Sequence, residues 1–187
     1  KFGKTAAQAA QNLGASIDKL IDSTTVYARL GYSLKEASKF AELTTAYSNV
    51  SNSNVDEATT NITAIIKAYD IGANELENVL DKLIYVGNNF AVSSQELGVG
   101  MNNAASALAA NGNSLEQAFG ILAAANTVTQ NIDKASTAVR TIAARISNST
   151  ADLEEFGGDT DGMASSTAAL REELLALAKV DVYDSTG

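Results

Sequence analysis

The sequence contains no cysteine, no histidine, no proline and no tryptophan among its 187 residues. Without cysteine the chain has no disulfide framework, no thiolate metal site and no cysteine nucleophile. Without histidine it also lacks the commonest general base and the commonest metal ligand of proteins. The absence of proline favours helices that are joined by short connections of glycine, serine and asparagine.

Positive charge and long apolar runs are scarce as well. The 13 lysines and arginines are outnumbered by 22 aspartates and glutamates, so the net charge is −9. This balance argues against binding to a nucleic-acid backbone, which requires a basic surface, and it is compatible with a basic protein partner. No apolar stretch approaches the ~18 residues that would indicate a membrane span. The sequence begins with Lys1 in place of a methionine and its start does not have the pattern of a signal peptide, so we expect the chain to be part of a longer protein.

Three glycine triplets divide the chain into segments of similar length. Each triplet places a glycine two positions before a serine or an asparagine; they are residues 31–33, 72–74 and 112–114. Glycine is favoured just past the end of a helix, and serine and asparagine are favoured at the N-cap of the next one. Further helix starts are expected midway, at residues 53–54, 93–94 and 131–133. A spacing of about 40 residues that holds two helices predicts an array of helical hairpins.

Caps and apolar periodicity place the individual helices. One helix is predicted from Thr5 to Leu30, and another begins near Asp133. The helices between them are predicted to begin with an N-cap and a partner three residues later. These pairs are Ser33 and Glu36, Asn54 and Glu57, Asn74 and Glu77, Ser93 and Glu96, and Ser114 and Gln117. Breaks are expected at residues 87–89 and 147–150, and Leu34 and Ile142 are expected on buried helix faces.

Together these patterns predict an all-α protein. Its architecture is an array or irregular bundle of short amphipathic helical hairpins of about 40 residues each, with a looser C-terminal segment. We predict a helical-hairpin core domain at residues 1–150 and a linker at residues 151–165. Residues 166–187 are predicted to hold a C-terminal helix and the start of a truncated following segment.

Two glycine-containing motifs suggest ligand sites but are better explained without a ligand. Gly98-Val99-Gly100 has the start of a dinucleotide-binding loop, yet Asn103 occupies the position of the third glycine and no strand precedes it. Close packing of two helices is the favoured interpretation. Residues 159–162 match part of a calcium loop, but the alignment puts glycine and alanine where oxygen ligands are needed, which favours a solvated linker.

Charged side chains offer little catalytic chemistry. Glu154 with Glu155, and Glu172 with Glu173, could supply carboxylates for acid–base catalysis, but neighbours in a helix point about 100° apart and do not face one another. Arg140 and Arg145 lie on a helix that is otherwise poor in charge, where they could contact an acidic partner or extend into solvent. We therefore predict no catalytic, cofactor-binding or metal-binding residue and no cofactor, and the sequence assigns no partner-binding residue.

Six short segments follow one another in an order that is more specific than any one of them. They are residues 34–41 (LKEASKFA), 55–59 (VDEAT), 79–83 (VLDKL), 88–97 (NNFAVSSQEL), 115–118 (LEQA) and 136–142 (STAVRTI). This series resembles the core region of tail tape measure proteins of long-tailed phages and prophages. In that family the last segment precedes a short linker, a helix and an ending that residues 182–187 (VYDSTG) match. The resemblance covers about two-thirds of the chain, from Gly31 to Phe156 and again at the end.

The resemblance implies a non-enzymatic structural component of a phage or phage-tail-like particle. In that family, long helical chains run down the tail lumen, tail tube protein polymerises around them, and their length sets the tail length. The protein is assembled in the bacterial cytoplasm, resides in the virion, and leaves the tail ahead of the DNA. Implied partners are the tail tube protein, a tail assembly chaperone, tail tip proteins, further copies of the chain as a homo-oligomer, and the host membrane on ejection. No nucleic-acid binding is expected of this segment.

Two other functions stay open. The chain could be a non-enzymatic helical-repeat adaptor that binds other proteins through an acidic face. Some family members carry peptidoglycan-cleaving domains, although nothing in this sequence matches one. An extended ruler is also at odds with a chain that breaks about every 20 residues, because such breaks favour folded hairpins. Our hypothesis is that the core folds compactly before assembly or after ejection, or that it serves as a docking domain.

Overall fold

The protein is all-α over the residues that the computed structural model describes, which are residues 2–155 for the backbone and residues 8–146 for the side chains. Eight α-helices and no strand occur within this range. They are α1 (Phe2–Leu13), α2 (Ile17–Arg29), α3 (Leu34–Ser51), α4 (Val55–Tyr69), α5 (Leu76–Asn89), α6 (Ser94–Ala110), α7 (Leu115–Thr129) and α8 (Ile132–Glu155).

The helices form four consecutive hairpins that stack as a two-layer array. The first helices of the hairpins, α1, α3, α5 and α7, pack side by side in chain order, and the second helices, α2, α4, α6 and α8, do the same. Similar hydrogen bonds link successive second helices. Ser23 of α2 meets Thr59 of α4 at 2.9 Å between the hydroxyl oxygens, and the Asn103 amide of α6 donates to the Ser136 hydroxyl of α8 at 3.2 Å. The second helices begin at residues 17, 55, 94 and 132, so the predicted hairpin period of about 40 residues is confirmed.

Helix α6 lies at the centre of the second layer, and glycine lets its neighbours approach. It packs against both α4 and α8. A Cβ atom on Gly100 would lie 2.8 Å from Cδ1 of Ile132, closer than real Cβ atoms come, whereas a Cβ on Gly98 would sit at an ordinary 3.4 Å from the Tyr47 hydroxyl. The interpretation of Gly98-Val99-Gly100 as a close-packing motif is confirmed. Gly100 is the position at which the approach of α8 leaves no room for a side chain.

Side-chain caps open most of the helices where the sequence predicts them. Ser33, Ser93 and Ser114 form complete capping boxes with the residue three positions later. Asn54 accepts a hydrogen bond from the backbone N–H of Glu57 at 2.8 Å, and Asn131 accepts one from Lys134 at 2.9 Å. Each such bond satisfies one of the orphan amides of a first helical turn.

The single helix predicted from Thr5 to Leu30 is wrong, because the chain turns at residues 14–16. Gly14 adopts a left-handed conformation with φ +64°, and the Ser16 side chain caps α2 by accepting from the Lys19 N–H. The segment has the same glycine-x-serine form as residues 31–33 and 112–114. It converts the expected long helix into the first hairpin of the array.

The start predicted for α5 is also wrong. Asn74 does not cap this helix, whose N-cap position is Glu75 without a side-chain cap bond. The Glu75 carboxylate instead accepts a hydrogen bond from the Gly72 N–H at 2.8 Å. The left-handed residue that ends α4 is Asp70, with φ 52°, so the helix ends before Gly72 and does not use the glycine for that purpose.

Of two predicted helix breaks, one lies slightly later than expected and one does not occur. Helix α5 continues through Gly87 and ends at Asn89, so the break expected at residues 87–89 lies at residues 90–93. Gly87 instead serves close packing, since a Cβ there would lie 2.5 Å from the backbone nitrogen of Ser94. Helix α8 continues through residues 147–150 to Glu155, since the serine, asparagine and threonine of that stretch have only mildly lower helix propensity.

The remaining predictions for the C-terminal part lie outside the described residues. They are the motif at residues 159–162, the Glu172 and Glu173 pair, the helix at residues 166–179 and the ending at residues 182–187. The division into residues 1–150, 151–165 and 166–187 stays a prediction.

Candidate partner-binding surfaces

Burial, helix caps and ion pairs shift the pKa of several titratable side chains of the described residues. Burial raises the pKa of Tyr27, Tyr47 and Tyr69 to about 12 in each case. The Ser33 hydroxyl and amide, which donate to Glu36, lower the pKa of that carboxyl. The Lys82 ammonium, 2.6 Å from Glu116, lowers the pKa of the Glu116 carboxyl. Each of these pKa shifts is explained by burial, by a helix cap or by an ion pair of the fold.

The part of the chain that the structure describes holds no group of three aspartate or glutamate side chains placed to bind a metal ion. Within the same part, no helix is long and apolar enough to cross a membrane. Among the grooves and exposed helix faces of the described residues, two surfaces stand out.

The first surface is a groove between α3 and α5, which we call the α3–α5 groove. Its apolar lining consists of Leu43, Ala46, Tyr47, Val50, Leu80 and Ile84, and it encloses about 220 Å³. Val50 is 65 % exposed, which is unusual for a valine. Tyr47 closes the floor of the groove, because its hydroxyl donates to the Ser94 carbonyl at 2.6 Å and ties α3 to the start of α6.

Acidic side chains border this groove. Glu77 and Asp81 lie one turn apart on α5, line the groove, and are both exposed. Tyr85, one further turn along, is 64 % exposed. The groove thus combines an apolar floor with two carboxylates on one wall, which suits a helix that carries apolar and basic residues.

The second surface is the outer face of α8, which we call the α8 face. Ala135, Val139 and Ala143 are buried against the array, so the opposite side of the helix is left to solvent. Ile142 is 53 % exposed there, and the expectation that it is buried is wrong because the helix packs through positions four residues apart. The exposed cations of this helix are Lys134, Arg140 and Arg145.

Leu34 likewise departs from expectation, because it is 54 % exposed at the first position of α3.

The residues that form the α3–α5 groove were assigned no function from the sequence. The signal that could have indicated them is the position of Val50, and of the half-buried Leu43 and Ile84, away from the most buried side of their own helices.

A further cleft lies where α5 meets the start of α7. It encloses about 450 Å³ and includes Tyr69, Asn74, Asn78, Lys82 and Glu116 in its lining. The ion pair of Lys82 with Glu116 crosses this cleft and joins the third hairpin of the array to the fourth.

Comparison with known proteins identifies the family. A family of phage-related minor tail proteins matches the chain over residues 3–184. No solved structure matches the chain. The match spans nearly the whole sequence and agrees with the phage tail origin that the ordered segments imply. The chain therefore belongs to the family of phage-related minor tail proteins, and its role is a structural one in the tail of the virion.

Proposed function

We propose that the chain is the core region of a tail tape measure protein, a scaffold that lies in the tail lumen and sets the length of the tail. The observation that carries this proposal is the family match over residues 3–184 together with the ordered segments that resemble tape measure proteins. The scaffold is not an enzyme in this proposal, and it leaves the tail ahead of the DNA during ejection.

The connections of the array support a change from folded hairpins to an extended tape. The whole sequence lacks proline, so no position is forced to break a helix. The ends of α3, α4 and α7 are held by Asn52, Asp70 and Gln130, which are non-glycine residues with positive φ. Such a conformation costs roughly 1–2 kcal/mol per residue, and a right-handed helical conformation would relieve it.

The two states differ greatly in length. As one continuous helix, residues 2–155 would span about 230 Å at 1.5 Å per residue. A compact domain of this size has a radius of gyration of only about 15 Å. In this proposal the tail tube protein polymerises around the extended state, while a tail assembly chaperone and the tail tip proteins bind the chain before and during assembly.

The proposal is tested by changing the length of the segment in the phage gene that encodes it. We would delete residues 72–111, which contain α5 and α6, and in a second phage duplicate the same forty residues. A tape predicts tails about 60 Å shorter after the deletion and about 60 Å longer after the duplication, measured by electron microscopy. The duplication is the more informative change, because misfolding does not lengthen a tail.

A control that keeps the number of residues separates the effect of chain length on the tail from the effect of disturbed folding. Gly100→Leu places a side chain where Ile132 already lies, so it disrupts the packing of α6 without changing the number of residues. We expect tails of normal length from this variant. Normal tail lengths after both the deletion and the duplication would contradict the tape function and indicate a folded accessory domain. Loss of all tails after the deletion would point to a role in starting assembly.

A second candidate function is favoured by one observation, the open α3–α5 groove. A helical-repeat adaptor would use such a groove to bind other proteins while the array stays folded. This function predicts that the array is intact in finished tails and that tail length is independent of the number of hairpins.

A further inference from the structure

No helix among the described residues fills the α3–α5 groove, and the same chain carries a helix face that matches it. We propose that the α8 face of one copy docks into the α3–α5 groove of a second copy. This contact would join folded arrays head to tail. It goes beyond the tape function and does not depend on it, because it concerns the folded chain in solution.

The residues of the two surfaces have the spacing of a helix that docks in a groove. Leu43, Ala46 and Val50 recur at spacings of three and four residues along α3, and Leu80 and Ile84 run beside them along α5. A helix that docks in such a groove presents residues at the same three- and four-residue spacing. On α8 the exposed residues Ala138, Ile142 and Arg145 have that spacing.

The charges of the two surfaces are opposite. Glu77 and Asp81 form an acidic wall of the groove, and both side chains are exposed. Within residues 132–146, α8 carries three cations, Lys134, Arg140 and Arg145, and one acidic residue, Asp133. Opposite potentials on two surfaces guide encounter and fix register, whereas like charges placed together oppose association.

A second copy is the occupant that this complementarity selects, because Ala138 and Ile142 share one exposed side of α8 with the cations Lys134 and Arg145, at positions three and four residues apart. The face that α8 turns toward its own array consists of other residues, Ala135, Val139 and Ala143, so docking leaves the packing of the array unchanged. Since the two surfaces differ, the contact is heterologous. Repetition of a heterologous contact that does not close into a ring builds an open line of copies.

Charge reversal tests the contact. We would compare the wild-type chain with E77K/D81K, with K134E/R145E, and with a chain that carries all four substitutions. Mass would be measured by sedimentation over a range of protein and salt concentrations. We expect the wild type to associate with increasing concentration and to dissociate with added salt. Each double variant should weaken association at least about tenfold, and the fourfold variant should regain it, because both surfaces then carry exchanged charges.

A matched control and a mixing experiment sharpen the test. K35E/K67E makes the same change in charge as K134E/R145E at exposed positions outside both surfaces, and it should associate like the wild type. Mixing the two double variants should also restore association, since the α8 face of each variant then has a charge opposite to that of the other variant's groove. A wild-type chain that stays monomeric, a double variant that associates normally, or a fourfold variant that stays monomeric would overturn the proposal. Retained association by E77K/D81K alone would indicate that α8 binds another surface.

Discussion

At the scale of single residues, glycine has two different uses that the sequence does not distinguish. Gly14, Gly31 and Gly112 have positive φ and end helices. Gly87 and Gly100 lie inside helices and remove a Cβ atom where another element approaches. The sequence identified the turns at residues 31 and 112, but a glycine inside a helix depends on the neighbour it faces, and that neighbour is set by the tertiary structure.

The close contact at Gly87 leads to a prediction about stability. Gly87→Ala would put a Cβ atom 2.5 Å from the backbone nitrogen of Ser94, which cannot move aside like a flexible side chain. We expect the free energy of unfolding to fall by roughly 1–3 kcal/mol. Urea unfolding of the purified chain, followed by circular dichroism, measures this change.

The matched control is Gly120→Ala in α7, where a new Cβ atom meets nothing within 4 Å. It should raise the free energy of unfolding by up to ~1 kcal/mol, because alanine is the better helix former. If Gly87→Ala were as stable as Gly120→Ala, the approach of α6 to α5 would be looser than described.

The buried tyrosine Tyr27 predicts a loss of stability at high pH. Its hydroxyl lies 2.8 Å from the Thr44 hydroxyl, and burial raises its pKa to about 12, above the value of about 10 for an unfolded chain. The folded state therefore keeps a proton that the unfolded state releases. The stability from this group is complete below pH 10 and is lost as the pH rises toward 12, at up to ~1.4 kcal/mol per pH unit.

Tyr27→Phe isolates this effect. At neutral pH the variant should be less stable by about 1 kcal/mol, because the buried Thr44 hydroxyl loses its partner. Between pH 10 and 12 its stability should fall less steeply than that of the wild type. Parallel stability curves for the two chains, from urea unfolding at each pH, would show that Tyr27 titrates as it does in the unfolded chain.

At the scale of helices, capping residues were the most reliable sequence signal. Ser33, Ser93 and Ser114 cap as predicted, because a serine followed by glutamate or glutamine three residues later satisfies its bonds locally. The signal failed at Asn74, where the neighbouring Glu75 captures the Gly72 amide and shifts the start of α5. The same signal is present at Ser16, but the apolar periodicity that continues across this position predicts a single helix and hides the turn.

The capping box at the start of α6 leads to a prediction of how much a capping serine contributes to the free energy of unfolding. Ser93→Ala removes the oxygen that accepts from the Glu96 N–H at 3.1 Å, and it frees the Glu96 carboxylate from the Ser93 hydroxyl. We expect a loss of about 1 kcal/mol in the free energy of unfolding, measured by urea denaturation.

The control is the same substitution further along the same helix. Ser106 is an exposed position inside α6, so Ser106→Ala should leave stability unchanged or raise it by a few tenths of a kcal/mol. Equal effects of the two substitutions would mean that the capping box contributes nothing beyond helix propensity.

At the scale of the whole molecule, the sequence predicted the class and the period but not the extent of the array. The repeated caps indicated hairpins of about 40 residues. The hairpin of α1 and α2, and the central position of α6 between α4 and α8, emerged only from the structure. The α3–α5 groove also required the structure, because it depends on which helices are neighbours in the first layer.

The central claim is that the chain is a folded array when free and an extended tape within the tail. Lys19 and Asp56 distinguish the two states, because they form an exposed ion pair between α2 and α4 in the array and would be about 56 Å apart along one continuous helix. The chain has no cysteine, so K19C/D56C introduces a unique pair of exposed thiols.

We would treat the free chain and purified tails with a short thiol-specific crosslinker and separate the products by gel electrophoresis. T60C/A64C is the control, since residues four apart on α4 are close in both states. The account predicts an internal crosslink for K19C/D56C in the free chain and its loss in tails, while the control crosslinks in both. An equal yield of the internal K19C/D56C crosslink in finished tails would contradict the account, because the array would then be folded where the tape should be extended.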